Sequence, residues 1–277
     1  MQNPWREDRL EAIMTGNVIK IASDATLNDA QRLMEQTRLA RLVVTNLNGK
    51  LSGMITHRDL VRFLGRDKSE RPLEEIGVKE IMSTPAIELK PSDTLVDAAR
   101  TMNQKGISSI VITGADREVL GIVTKTDICY HFSQGSSKLK IGDVMTRKVF
   151  TVKPTHSIFF VASLLARQGI SRVPVVNGTL LGIITLADIA NSAVMMRPEL
   201  IETLDETVRT VATAKIRAMT ASDIMKPNPI TVRSEEPLTK AARLMIEHGI
   251  SGIPVVDSKK VLRGIVTKTD IIRAAAR

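Results

Sequence analysis

The chain has 277 residues, 43% hydrophobic and 25% charged, the balance of a folded globular protein and not of a disordered or fibrous one. No apolar run approaches the ~20 residues a membrane helix requires, Met1–Glu11 is polar and charged, and a single cysteine, Cys129, excludes a disulfide framework or a paired-cysteine metal site; a soluble cytoplasmic protein with no membrane contact is the expectation. The net charge of +9 is uneven, with 19 basic and 18 acidic residues before position 139 (+1) and 20 basic and 12 acidic after it (+8). That half suits a phosphorylated ligand, a nucleic acid or an acidic protein surface, whereas 3% aromatics is thin for stacking single-stranded bases.

Reading along the chain, one pattern occurs four times. The first copy opens on Ile13-Met14 and predicts a strand over 18–22. A helix follows to about Gln36, capped at Thr26, with Leu27, Ala30, Leu33 and Met34 on one face. Leu42–Thr45 reads as a buried strand, Asn48-Gly49 as a turn and Leu51–Thr56 as a third strand. A second helix starts near Thr56 and carries Leu60, Val61 and Leu64. After the link Gly65–Gly77, the second copy opens on Ile81-Met82, with a helix cap expected at Ser92 or Asp93, then Gly106-Ile107-Ser108. Ser133–Ser137 is the most linker-like stretch and places a module boundary. The third copy runs from Val144-Met145 through an expected cap at Thr155 and Gly169-Ile170-Ser171. Pro198–Met219, with Ile201, Leu204, Val208 and Val211 at helical spacing, predicts an extra amphipathic helix. The fourth copy opens on Ile224-Met225, with a cap at Ser234 and Gly249-Ile250-Ser251.

Each copy ends on the same phrase: Gly53-Met-Ile-Thr56-x-x-Asp59, Gly121-Ile-Val-Thr124-x-x-Asp127, Gly182-Ile-Ile-Thr185-x-x-Asp188 and Gly264-Ile-Val-Thr267-x-x-Asp270. From Met to Thr the step is 42, 42, 40 and 42 residues, a spacing chance does not hold four times. The fold class is therefore α/β of the α+β type, four β-α-β-β-α repeats. They span 1–66, 67–135, 139–197 and 220–277, with the extra helix at 198–219. A unit of about sixty residues buries too little alone, so units are expected to pair.

These phrases resemble those of cystathionine-β-synthase (CBS) domains. The residues that carry the resemblance are the Met-Thr or Met-Ser starts, the Gly-Ile-Ser-x-x-Pro-Val-Val segments ending at Val176 and Val256, and the four Gly-x-x-Thr-x-x-Asp phrases. The resemblance covers nearly the whole chain. It implies two modules of paired units, forming a flat disc within one chain or through a homodimer. It also implies an adenosine ligand (AMP, ADP, ATP or S-adenosylmethionine) and regulation of a protein partner. Each cleft would join Thr-x-x-Asp of one unit with the first strand and Gly-Ile-Ser segment of its partner. The ribose and phosphate residues are then Thr56, Asp59, Thr124, Lys125, Thr126, Asp127, Thr185, Asp188, Thr267, Lys268, Thr269 and Asp270. The other half-sites draw on Arg41, Ile107, Ser108, Thr146, Thr151, Ile170, Ser171, Arg172, Thr231, Ile250 and Ser251.

The chemistry of these residues agrees. An aspartate accepts two hydrogen bonds from a ribose diol, and N–H groups at a helix start suit phosphate oxygens. The same Thr and Asp also serve as plain helix caps. Thr267–Asp270 with Thr146, Thr151, Ile170, Ser171 and Arg172 forms the strongest expected site. The third copy, Thr185-Leu186-Ala187-Asp188, lacks the polar phosphate residues of the second and fourth, and the first has Arg38-Leu39-Ala40 in place of Gly-Ile-Ser. Four scattered histidines, no phosphate-binding glycine loop and no nucleophile elbow leave no catalytic or metal constellation. A stand-alone sensor is the expectation, with a nucleic-acid-binding protein using the basic second half as the alternative. An enzyme acting on the bound nucleotide, or a scaffold in which the phrases only cap helices, rank lower.

Overall fold

The computed structural model describes residues 4–64, 71–189 and 219–276. The first copy consists of α1 (Leu10–Ile13), β1 (Lys20–Ala22), α2 (Leu27–Thr37), β2 (Arg41–Thr45), β3 (Leu51–Thr56) and α3 (His57–Leu64). β1 lies parallel to β2, with α2 as the crossover, and β2 pairs antiparallel with β3. The second copy repeats this with α4 (Val78–Ile81), β4 (Glu88–Leu89), α5 (Leu95–Lys105), β5 (Ser109–Thr113), β6 (Val119–Thr124) and α6 (Lys125–Gln134). The third has α7 (Ile141–Val144), α8 (Ile158–Gln168), β7 (Arg172–Asn177) and β8 (Thr179–Thr185). The fourth has α9 (Ala221–Ile224), β9 (Lys226–Pro227), α10 (Leu238–Glu247), β10 (Gly252–Val256), β11 (Leu262–Thr267) and α11 (Lys268–Ala275). In these two copies the first strand shrinks to single parallel bridges, Val152 with Val175 and Val232 with Val255.

The helices form where apolar side chains recur at three- and four-residue steps. Leu27, Ala30 and Met34 of α2 are buried, as are Leu95, Ala98, Ala99 and Met102 of α5. Thr26 caps α2 as expected, in a box with Asp29. The other caps differ from the sequence reading. α5 is capped by Thr94, not Ser92 or Asp93, and α8 by Ser157, not Thr155; α10 begins after Pro237, whose side chain makes no cap bond, not at Ser234. In each case the helix begins at the first buried apolar residue, and the residue directly before it takes the extended cap conformation. α5 and α8 end on left-handed Gly106 and Gly169, whereas α2 ends on left-handed Arg38, φ 56°. The extra helix expected at 198–219 lies outside the described residues except for Met219.

The chain divides into two compact units, Met1–Ser136 with Ile271–Arg277, and Ser137–Asp270. In the first unit the middle strands β2 and β5 are buried along nearly their whole length, which is why they read as continuous apolar runs. Leu42, Val44 and Ile55 pack with Leu27, Ala30 and Met34 under the helices. The alternate residues Val43 and Met54 meet Val111 and Val119 of the second copy, sheet against sheet. In the second unit Val161, Leu165, Val173, Val175 and Ile184 form the matching helix-on-sheet core.

The segment that opens each copy packs on the neighbouring copy, not on its own. In the first unit, Leu10 N–H donates to Asp93 at 2.9 Å, and Thr15 exchanges two 3.0 Å backbone bonds with Ile122. Reciprocally, Val78 N–H donates to Ala25 at 2.8 Å, and Ser83 exchanges bonds of 2.8 and 3.1 Å with Met54. In the second unit, Ile141 N–H donates to Glu236 at 2.9 Å, and Thr146 exchanges two 2.9 Å bonds with Ile265. Ala221 N–H donates to His156 at 2.7 Å, and β9 adds to β8 as a third strand. The methionine of each opening phrase lies on the glycine of its neighbour's closing phrase: Met82 on Gly53, Met14 on Gly121, Met225 on Gly182 and Met145 on Gly264. A Cβ at those glycines would come within 2.4 to 2.8 Å of the methionine sulfur, so the glycine admits its neighbour's chain.

Candidate functional site

All four Thr-x-x-Asp phrases fold alike. The Asp carboxylate accepts through Oδ2 from both the backbone N–H and the hydroxyl of the Thr. The pairs of distances are 2.9 and 2.6 Å at Thr56–Asp59, 2.7 and 2.8 Å at Thr124–Asp127, 2.7 and 2.6 Å at Thr185–Asp188, and 2.8 and 2.8 Å at Thr267–Asp270. Each phrase ends a strand and starts a helix, where free N–H groups need acceptors. A carboxylate anchored by two hydrogen bonds to one oxygen is held in a single orientation. Asp270 and Asp188 are buried, at 2% and 9% exposure.

The residue after each Thr draws the start of the middle strand alongside. His57 N–H donates to Ala40 at 3.0 Å, Lys125 to Ser108 at 3.1 Å, Leu186 to Ser171 at 3.0 Å and Lys268 to Ser251 at 3.1 Å. Lys125 and Lys268 are half-buried.

Two arginines then cross between paired copies. Arg41 of the first copy donates to the carbonyl (2.9 Å) and hydroxyl (3.1 Å) of Ser108 in the second. Arg172 of the third copy donates to the hydroxyl of Ser251 in the fourth. Burial pulls both guanidinium pKa values below the ordinary arginine value, and the Asp127 carboxylate acts the other way on Arg41. Both stay charged at any physiological pH. Arg172 needs the room Gly252 leaves: a Cβ there would lie 2.6 Å from its Nη1.

Through these bonds and the exchanged opening segments, the structure brings together the Thr267–Asp270 phrase, Thr146 (paired beside Ile265), Ser251 and Arg172. It likewise joins Thr124–Asp127, Ser108 and Arg41, with Thr15 beside Ile122. The half-buried Ile107 and Ile250 directly precede Ser108 and Ser251 of these clusters. Ile170 precedes Ser171, whose carbonyl accepts from Leu186 N–H at the third phrase, and Thr56 and Asp59 follow the strand whose Met54 pairs with Ser83. Thr151 and Thr231 are exposed beside the bridging Val152 and Val232. Thr151 lines a cleft of about 230 Å³ with Arg147, Val149, Val176, Gly178 and Val261–Gly264, which holds neither Asp270 nor Arg172. Its two arginines are engaged, Arg147 on the Gly142 carbonyl at 2.7 Å and Arg263 on Asp257 at 2.6 and 2.9 Å.

One residue that the sequence reading did not single out sits at the third phrase. Lys226 Nζ lies 3.2 Å from Asp188 Oδ1. The signal was visible, since the residue after the opening methionine is Thr15, Ser83 and Thr146 in the other copies and Lys226 in the fourth. Among the described residues no group of three or more His, Cys, Asp or Glu is placed to hold a metal ion, and no helix is long and apolar enough to cross a membrane.

Comparison with known proteins agrees with this architecture. The chain is 29% identical over 273 residues to protein MJ1225 of Methanocaldococcus jannaschii, covering 92% of this chain and 94% of the relative. The crystal structure of MJ1225 superimposes with a TM-score of 0.79 at 27% identity, over 96% of this chain and 99% of that one. A conserved protein from Pyrococcus horikoshii shares the fold, with a TM-score of 0.70 at 20% identity, over 97% of this chain and 100% of that one. CBSX2, crystallised in complex with AMP, matches 50% of this chain and 96% of its own at 30% identity, with a TM-score of 0.41. The CBS domain model matches residues 10–66, 78–133, 141–195 and 221–277, and the chain belongs to the CBS domain family.

Proposed function

We propose that the chain is a regulatory protein that binds an adenosine-containing ligand in the clefts between paired CBS domains. The observation that carries this reading is the arrangement at Asp270. A buried carboxylate is fixed through Oδ2 by Thr267, and a half-buried guanidinium, Arg172, crosses from the neighbouring copy to Ser251, whose carbonyl holds Lys268 N–H. A fixed carboxylate suits a ribose diol; a cation and helix-start N–H groups suit a phosphate. The Asp127, Ser108 and Arg41 cluster repeats the arrangement in the first unit. MJ1225, whose structure this chain matches, is described as a candidate archaeal homologue of γ-AMPK, and regulation of a protein partner by ligand occupancy is the role proposed here. The ligand acts if it prefers one arrangement of the paired domains.

The test is thermal melting of nucleotide-free protein with AMP, ADP, ATP, S-adenosylmethionine and GTP in turn. A ligand at about 100 times its dissociation constant stabilises by about 2.7 kcal/mol. Stabilisation by adenosine compounds that Asp270→Ala diminishes, through loss of a charged hydrogen bond of ~1.5–3 kcal/mol, supports the reading. Melting unchanged by every compound refutes it and leaves the phrases as helix caps.

A further inference from the structure

The four clefts differ in what stands over the aspartate. At the register position opposite the residue after the closing glycine, three copies present a short hydroxyl side chain: Thr15 opposite Ile122, Ser83 opposite Met54 and Thr146 opposite Ile265. The fourth presents Lys226, in β9, opposite Ile183. From there its ammonium reaches Asp188 Oδ1 at 3.2 Å, while Asp188 Oδ2 already accepts from Thr185 N–H and hydroxyl at 2.7 and 2.6 Å. Both oxygens of this carboxylate are therefore engaged by the chain itself.

We propose that Lys226 is a built-in occupant of the Asp188 cleft, which closes that cleft to a ribose diol and makes the second unit a one-ligand unit served by Asp270. This inference rests on the function proposed above.

The ammonium competes for the atom that a diol needs. Asp188 is 9% exposed, whereas the Lys226 side chain is 68% exposed and reaches the carboxylate from the open side, so the lysine competes with a diol by occupying Oδ1 and not through a large Coulomb energy. The rest of the cleft gives a nucleotide little with which to displace it. Leu186 and Ala187 stand where the fourth copy has Lys268 and Thr269, so the helix start lacks a lysine and a hydroxyl. On the facing copy, Gly252 occupies the position that Arg172 holds in the other half-site, and the guanidinium of Arg172 lies against it. The third copy keeps its Asp because Asp caps a helix, and Lys226 satisfies the oxygen left over.

The experiment is a count of bound AMP per chain by equilibrium dialysis, on the nucleotide-free full chain and on Lys226→Thr, which restores the hydroxyl residue of the first and third copies. One more AMP per chain in Lys226→Thr than in the wild type is expected, with a return to the wild-type number in Lys226→Thr/Asp188→Ala. An unchanged number, or weaker AMP binding in Lys226→Thr (a lysine that helps a phosphate instead of blocking a ribose), overturns the inference while wild-type binding leaves the functional reading standing. Absence of AMP binding by the wild type, Asp270→Ala and Lys226→Thr alike overturns both. Cooperative melting of each variant shows that the protein counted is folded.

Discussion

Gly121→Ala tests whether the exchanged opening segments hold the paired copies together. A Cβ at position 121 would lie 2.4 Å from Met14 Sδ, 2.6 Å from its Cγ and 2.9 Å from its Cβ. Rotation of the thioether relieves the first contact but not the last two. Met14 cannot withdraw as a whole without breaking the two 3.0 Å bonds between Thr15 and Ile122. Overpacking costs about 1–3 kcal/mol, and partial loss of two backbone bonds adds about 1 kcal/mol. We expect Gly121→Ala to destabilise by roughly 2–4 kcal/mol, or about 4–16 °C in Tm at roughly 2–4 °C per kcal/mol for a chain of this size. The assay is urea unfolding of the wild type, Gly121→Ala, Met14→Ala and the double variant. In the Met14→Ala background only the Cβ contact remains, so the glycine substitution is expected to cost about 1 kcal/mol, a coupling of about 2 kcal/mol between residues far apart in sequence. Additive costs, or a neutral Gly121→Ala, would refute the packing argument.

Three further outcomes follow from the caps. Arg38→Gly relieves a left-handed backbone conformation that costs an L-residue about 1–2 kcal/mol; offset by the freedom glycine adds to the unfolded chain, a net gain of about 0.5–1 kcal/mol is expected by urea unfolding. Ser157→Ala, which removes the acceptor for Phe160 N–H, is expected to cost about 1 kcal/mol in thermal unfolding, while Thr155→Ala stays within about 0.5 kcal/mol; equal costs would restore Thr155 as the cap. The Thr94 hydroxyl and N–H hold the Asp97 carboxyl below the ordinary carboxylate range, as Thr26 does for Asp29. A depressed folded pKa makes their contribution full above the unfolded pKa and lost as pH falls through the folded value. Asp97→Asn should therefore flatten the fall of Tm on acidification below about pH 4, and a wild-type acid limb in that variant would contradict the cap assignment.

The repeated architecture was legible because four phrases at near-constant spacing encode strand, turn and helix start together. At α2, α5 and α8 alike, more than one hydroxyl or acidic residue precedes the first buried apolar residue, and backbone conformation selects Thr26, Thr94 and Ser157 as the caps. The glycine of each closing phrase stands out by its recurrence three residues before Thr. The chain it admits does not, since nothing local to Gly121 names Met14. The expected site residues Thr146, Arg172, Ser251 and Asp270 come together through those same long-range pairings. Lys226 escaped notice because its meaning depends on Asp188, a residue of a different copy.

The exchange of opening segments also bears on how the protein emerges from synthesis. When the first copy has been made, its own sheet still lacks Met82 and Ser83, and its Met14 has no glycine to rest on. The opening residues of the second copy meet the first deficit and its closing phrase the second, so the first copy is fully packed only when its partner has been made. Contacts between residues more than a hundred positions apart, as between Met14 and Gly121, close late and slow folding, and a chain stalled between two copies would be exposed to aggregation. The unit of assembly in this architecture is thus the pair.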